Sequence, residues 1–265
     1  MVSLLGGRPR LVPLAADQGF VMTPEAVAAA WSPAVRVVVV ASPANPTGTV
    51  LDPTALAALY DLVRDRGAAL VVDEIYQGLV YDAPDHSALA AGEDGLFVVN
   101  SFSKYFGMTG WRLGWAVGPT AFAPVLDRLA QNLYLAPSTP AQYAALAALS
   151  PGTLALLDAR KAEFLQRRDY LVAALEALGM VIPARSGGAF YVYADCSTLA
   201  DDVELLANDL LELGGVATTP GTDFGVLAAR RYLRLAYTTR LDRLAEGLSR
   251  MKGLFKARDL RVRNR

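Results

Sequence analysis

The chain has 265 residues, of which 53% are hydrophobic, enough for one large domain or two small ones around a sizeable core. Its 25 basic and 26 acidic side chains nearly cancel, which argues against a nucleic-acid partner, and one histidine with one cysteine makes neither a disulfide framework nor a zinc site. A lone Cys196 fits a reducing, cytoplasmic compartment, no apolar run reaches membrane-spanning length, and Met1-Val-Ser-Leu-Leu-Gly-Gly lacks the charged start of a signal peptide.

The first strong element is Val37-Val-Val-Val-Ala, an unbroken apolar run over 37–41 that predicts a strand buried on both faces, as in parallel sheets. Ser42-Pro-Ala-Asn45-Pro-Thr-Gly48 closes it with turn chemistry. Asp52 is placed to cap a helix with Pro53 in its first turn. Leu56, Leu59 and Val63 recur at helical spacing over 53–66, and Gly67 stops the helix. A second strand over 68–73 ends in Asp73, so strand, helix and strand form one crossover unit. His86 falls in a loop-like stretch and receives no role. A third strand over 96–100 leads into Ser101-Phe-Ser-Lys104, and a fourth is expected over 112–117.

From residue 120 helical periods dominate, over 121–134, 141–149 and a long stretch 151–178 stopped by Gly179. Strands over 189–193 and 232–237 alternate with helices over 201–213 and 241–255, and the basic run 256–265 reads as a solvated tail. A long helix leaving a sheet domain predicts a bridge to a smaller one. The expected organisation is therefore a large domain over 1–153 and a bridging helix with a small domain over 154–265.

Lys104 is the most informative residue. Of the four lysines, Lys161, Lys252 and Lys256 lie in charged, helix-like surroundings, whereas Lys104 alone follows an apolar strand. Open α/β sheets place their chemistry at such strand ends, and a lysine there is suited to Schiff-base work. Alone it would be read as a surface lysine with a buried stem. Its companions change that reading: hydroxyls at Ser101 and Ser103, a guanidinium at Arg112 suited to a phosphate, the Asp73 carboxylate at the next strand end, and Asn45 at the end of a third.

The elements Asn45-Pro-Thr-Gly48, Asp73-Glu-Ile-Tyr76, Ser101-Phe-Ser-Lys104, Gly110-Trp-Arg112-Leu-Gly-Trp115 and Tyr232-Leu-Arg234-Leu-Ala, in this order and spacing, resemble the class I/II (fold type I) pyridoxal-phosphate-dependent aminotransferases along essentially the whole chain. The resemblance implies an α/β fold. Its large domain would have a mainly parallel sheet flanked by helices, with a smaller α+β C-terminal domain. It implies pyridoxal 5′-phosphate as cofactor, and amino-group transfer between an L-amino acid and a 2-oxo acid through a Lys104 internal aldimine, in a homodimer. By the same resemblance Lys104 is the catalytic lysine and Asp73 the partner of the pyridinium nitrogen. Asn45 and Tyr76 bond the ring hydroxyl, and Ser101, Ser103 and Arg112 cradle the phosphate. Arg234, with Asn45, binds the substrate carboxylate. Arg230 and Arg231 close by keep open the plainer reading of Arg234 as a surface residue on a strand, and Asn45 also suits a turn. Two other functions stay open: another reaction on the same frame, such as β-elimination by a C–S lyase, and an inactive truncated relic. The opening segment resembles an interior stretch of the family, where an N-terminal arm, a phosphate-binding helix N-terminus and a ring-stacking aromatic come before it; the resemblance therefore implies a large domain that is N-terminally truncated in this sequence and lacks those elements.

Overall fold

A computed structural model of the chain describes residues 2–226 and 228–263; Met1 and the last two residues of the basic run lie outside them. The chain divides into two compact units. The first comprises Met1–Ser42, Leu51–Gln77 and Asp85–Leu149, the second Pro43–Val50, Gly78–Pro84 and Ser150–Arg265.

In the first unit a short helix, α1 (Pro24–Ala29), precedes β1 (Val37–Ala41), α2 (Pro53–Asp65), β2 (Ala69–Asp73), β3 (Leu96–Ser101) and β4 (Gly114–Val117), followed by α3 (Ala123–Leu133) and α4 (Thr139–Ala148). The sheet runs in the order β1-β2-β3-β4. The first two pairings are parallel, with Ala41 opposite Asp73 and Asp73 opposite Val99; the third is antiparallel, with Ser101 opposite Gly114. Helix α2 begins as its sequence requires. The Asp52 carboxylate accepts the Ala55 N–H at 2.9 Å, and Pro53 needs no partner for the donor it lacks. Gly67, at φ +68°, ends the helix. Leu56, Leu59 and Val63 bury one face of α2 against Val40, Leu70, Val72, Leu96 and Val98.

The expectation that 37–41 is buried on both faces is corrected. Val37 and Val39 are 49% and 56% exposed, while Val40 is buried. β1 is an edge strand of this sheet, and the crossover helix α2 covers one face of it, so an all-apolar sequence carries an alternating burial. β4 starts at Gly114 rather than at residue 112, because Arg112 sits in left-handed backbone at φ +53° and cannot continue a strand. Helix α3 carries no buried residue, and Val125, Leu126, Leu129 and Leu133 along it are exposed.

The second unit contains α5 (Pro151–Ala177), β5 (Tyr191–Asp195), α6 (Val203–Glu212), the two-residue β6 (Thr219–Pro220), β7 (Tyr232–Ala236) and α7 (Leu241–Arg263). Its antiparallel sheet has the order β5-β7-β6. One face packs on the helices through Val192, Leu233 and Leu235 against Leu171, Leu175, Leu206, Leu210, Leu248 and Met251. β5 begins two residues later than expected, since Ala189 has φ +60° and turns the chain before the strand can start. α7 runs on to Arg263, past the predicted end at 255 and into the basic run. Among the described residues no helix is long and apolar enough to cross a membrane.

The segments Pro43–Val50 and Gly78–Pro84 are tied into this unit by backbone bonds. Gly188 donates to the Gly48 carbonyl at 2.9 Å, Ala189 to Leu79 at 2.9 Å, and Tyr81 to Gly187 at 2.9 Å. Arg168, 1% exposed, adds a buried cation whose guanidinium reaches both oxygens of Asp82, the Asp169 carboxylate and the Ser186 carbonyl. Four acceptors offset the large desolvation cost of that charge.

Candidate active site

Six of the eight residues singled out from the sequence lie in the first unit, at the carboxyl ends of β2 and β3. Asp73 is the last residue of β2, and one of its carboxylate oxygens accepts the Ile75 N–H at 3.0 Å, which turns the chain away from the sheet. Its neighbour Glu74, which the sequence reading did not single out, is buried. It accepts the Ala88 N–H at 2.6 Å and the Ser87 hydroxyl at 3.0 Å. Burial pushes the Glu74 carboxyl above the usual carboxylate range, and those two donors oppose the shift. Glu74 thus ties the strand end that carries Asp73 to the loop at 87–88.

The loop after β3 is shaped by its own hydroxyls. Ser101 Oγ accepts the Ser103 N–H at 3.0 Å and lies 2.9 Å from Ser103 Oγ. Thr109 Oγ1 donates to the Ser103 carbonyl at 2.7 Å, and the Gly107 N–H to the Lys104 carbonyl at 3.0 Å. Gly107 at φ +69° closes the turn. Lys104 is half-buried with its Nζ 5.8 Å from the centroid of the buried Tyr76 ring, a cation–π distance. Arg112 is exposed, and its Nη1 donates to the Thr109 carbonyl at 3.0 Å, which leaves further N–H donors on its guanidinium. Gly114 lets β4 come close to the end of β3, just before this loop: a Cβ there would stand 2.6 Å from the Asn100 carbonyl oxygen.

The other two residues, Asn45 and Arg234, meet in the second unit. Arg234 Nη1 donates to Asn45 Oδ1 at 2.8 Å and Nη2 to Thr219 Oγ1 at 3.2 Å. The guanidinium lies 4.3 Å from the Tyr191 ring centroid and 4.7 Å from that of Phe224. Nε is buried and has no hydrogen-bond partner. The plainer reading, a surface arginine alternating along a strand, does not describe this environment. Sequence reasoning missed Tyr191, Thr219 and Phe224. They lie between 10 and 43 positions from Arg234 in the chain. Strand register brings two of them to it, with Thr219 opposite Arg234 and Tyr191 diagonal to it, and Phe224 reaches it from the turn after β6.

The sequence matches the family model described as aminotransferase class I and II over residues 1–250. It is 40% identical to the valine–pyruvate aminotransferase of Mycobacterium tuberculosis over 83% of this chain and 57% of that protein. It is 38% identical to the aspartate/prephenate aminotransferase of Thermus thermophilus over 94% of this chain and 64% of that protein. The chain therefore spans less than two thirds of these relatives' lengths. Among solved structures, a double mutant of Thermus thermophilus aspartate aminotransferase superposes with a TM-score of 0.89 at 37% identity, covering 96% of this chain and 65% of that one. The aromatic aminotransferase of Pyrococcus horikoshii superposes with a TM-score of 0.90 at 29% identity, covering 98% and 70%.

Proposed function

This chain belongs to the class I and II aminotransferases, a pyridoxal-phosphate-dependent family of fold type I, and on that premise we propose that it transfers the amino group of an L-amino acid to a 2-oxo acid. The observation that carries the proposal is the convergence of Asp73, Tyr76 and the Ser101–Lys104 loop at the carboxyl ends of two adjacent parallel strands. The donor set there fits pyridoxal 5′-phosphate: an amine, a carboxylate, a phenol, two hydroxyls and a guanidinium. When bound, that cofactor supplies an electron sink at the substrate α-carbon and a carrier for the amino group.

Each residue then has a task its chemistry suits. Lys104 Nζ is the amine that would hold the cofactor, and when not so engaged it would serve as the base for the proton on the substrate α-carbon. Asp73 would hold a proton on the ring nitrogen, since a carboxylate beside it favours the charged form. The Tyr76 hydroxyl would bond the ring oxygen, a task for which the Asn45 amide is also proposed. Ser101, Ser103 and Arg112 bind the phosphate through hydroxyls and guanidinium N–H groups. Arg234 receives the substrate α-carboxylate, with Asn45 beside it. That carboxylate is common to the substrates for which the two curated relatives are named, so the substrate class proposed is amino acids and 2-oxo acids in general. A homodimer in a cytoplasmic setting is part of the proposal.

The test is borohydride reduction of the protein in the presence of pyridoxal phosphate, followed by peptide mapping and product analysis. Trapping at Lys104, lost in Lys104→Ala, together with formation of a new amino acid and a new 2-oxo acid, is the expected result. Trapping at Lys161 or Lys252 would remove Lys104 from its role. Pyruvate with ammonia from a cysteine conjugate would replace transamination by β-elimination.

A further inference from the structure

Arg234 is held by neutral groups, in contrast to nine other arginines of the chain. Arg64, Arg167, Arg168, Arg185, Arg230, Arg231, Arg240, Arg243 and Arg250 each pair with a carboxylate. Among the described residues Arg234 pairs with none; its partners are an amide oxygen, a hydroxyl and two aromatic faces. A purely structural guanidinium at this depth would gain most from a carboxylate, because neutral acceptors leave its charge uncompensated. The buried Nε without a partner points the same way, since a structural arginine would not be expected to leave a donor unmet.

We propose that Thr219 and Phe224 are positioning residues for Arg234: they fix its guanidinium with neutral groups, so that its full charge stays available to an incoming carboxylate. This deepens, and rests on, the reading of Arg234 as the group that takes the substrate α-carboxylate. Thr219 stands directly opposite Arg234 in the β6–β7 register, and its β-branched side chain has few rotamers, so Oγ1 is a stiff anchor for Nη2. Tyr191 lies under the guanidinium from β5, and Phe224 adds a second aromatic face from the turn after β6. The Phe224 ring is itself set edge-on to Tyr193, 6.3 Å between centroids at 90°. Aromatic faces and a hydroxyl orient the plane of the guanidinium without neutralising it. Asn45, the fourth partner, is exposed, so the Nη1 edge is the one open to solvent.

The experiment uses the whole chain labelled with ¹⁵N-arginine and follows the Nε–H signal of Arg234 during titration with succinate. Unfolding midpoints are measured in parallel. Thr219→Val keeps shape and branching but removes the acceptor. Succinate affinity is expected to fall about ten- to a hundredfold, the worth of one hydrogen bond to a charged group. Thr219→Ser is expected to restore it. Thr219→Asp, which supplies an internal carboxylate, is expected to abolish binding while the midpoint holds or rises. Phe224→Leu is expected to weaken binding and Phe224→Tyr to retain it. In turnover the loss appears in KM for the amino acid, with pyridoxal phosphate affinity unmoved. If Thr219→Val and Phe224→Leu bind succinate as the native chain does while Arg234→Lys does not, the positioning role is overturned and the carboxylate role of Arg234 stands. If succinate leaves the Arg234 signal unmoved in the native chain, or Arg234→Lys binds equally well, the carboxylate reading itself falls.

Discussion

Gly48→Ala is the substitution whose cost follows most directly from the geometry. Gly48 has φ +69°, and a Cβ built there would lie 1.9 Å from Ser186 Oγ, 2.6 Å from Ser186 Cβ and 2.8 Å from the Gly188 carbonyl oxygen. The left-handed backbone alone costs a non-glycine residue about 1–2 kcal/mol. Relief by movement of Ser186 is closed off. Its side chain is fully buried, its hydroxyl donates to the Gly188 carbonyl at 2.6 Å, and its own carbonyl is held by Arg168 at 2.8 Å. Forcing a methyl into such packing costs about 1–3 kcal/mol more. The sum, about 2–5 kcal/mol, is a large part of the roughly 5–15 kcal/mol that stabilises a domain. Gly48 is also three residues from Asn45 in the same turn, so the displacement should loosen the Asn45–Arg234 bond and raise KM for amino acids. The assay is a set of urea titrations on the native chain, Gly48→Ala, Ser186→Gly and the double variant. In the Ser186→Gly background the clash with the side chain is gone and the backbone part remains, so the cycle should return a coupling of about 1–3 kcal/mol. A Gly48→Ala midpoint within a few tenths of a kcal/mol of native, or an equal cost in both backgrounds, would refute this reasoning.

Two further outcomes are expected. Asp73→Ala should leave borohydride trapping at Lys104 intact but slow turnover at least about a hundredfold, corresponding to roughly 3 kcal/mol, because the ring nitrogen loses the group that holds its proton; unchanged turnover would take Asp73 out of the site. On the alkaline side, burial, with the Asp195 charge adding to it, pushes the Cys196 thiol from 9.0 to about 12, and burial raises the Tyr193 and Tyr237 hydroxyls from 10.0 to about 12. Folding favours the neutral forms, so their contribution is fully present below about pH 9 and is lost as pH rises towards about 12, where the unfolded chain releases protons that the folded one retains. Urea midpoints should fall between about pH 8.5 and about pH 11, and fall less in Cys196→Ala; an equal fall in both proteins would show that the thiol does not report on this window.

Much of the first unit could be read from the sequence because its signals are local. Asp52 and Pro53 start α2 wherever it sits, and Gly67 ends it. Asp73 and Lys104 stand at strand ends because apolar runs stop just before them, and Ser101 and Ser103 shape their loop with hydroxyls two residues apart. The family could be named from motif order because those motifs are contiguous words.

What the sequence could not carry is whatever depends on which elements pair. Val37 and Val39 match their buried neighbours in residue type, and only the edge position of β1 leaves them exposed. Ala189 looks like a strand residue until the close backbone bonds around it demand a left-handed turn. The Asn45 turn, read beside the strand it follows, packs instead with the second unit, because Gly48 fits against Ser186 and Gly188. Arg234 shows the limit most clearly. Its type and its strand were legible, but the amide, the hydroxyl and the two rings that hold it come from three separate stretches of chain, and register and folding at long range, which leave no periodic trace in sequence, decide their meeting.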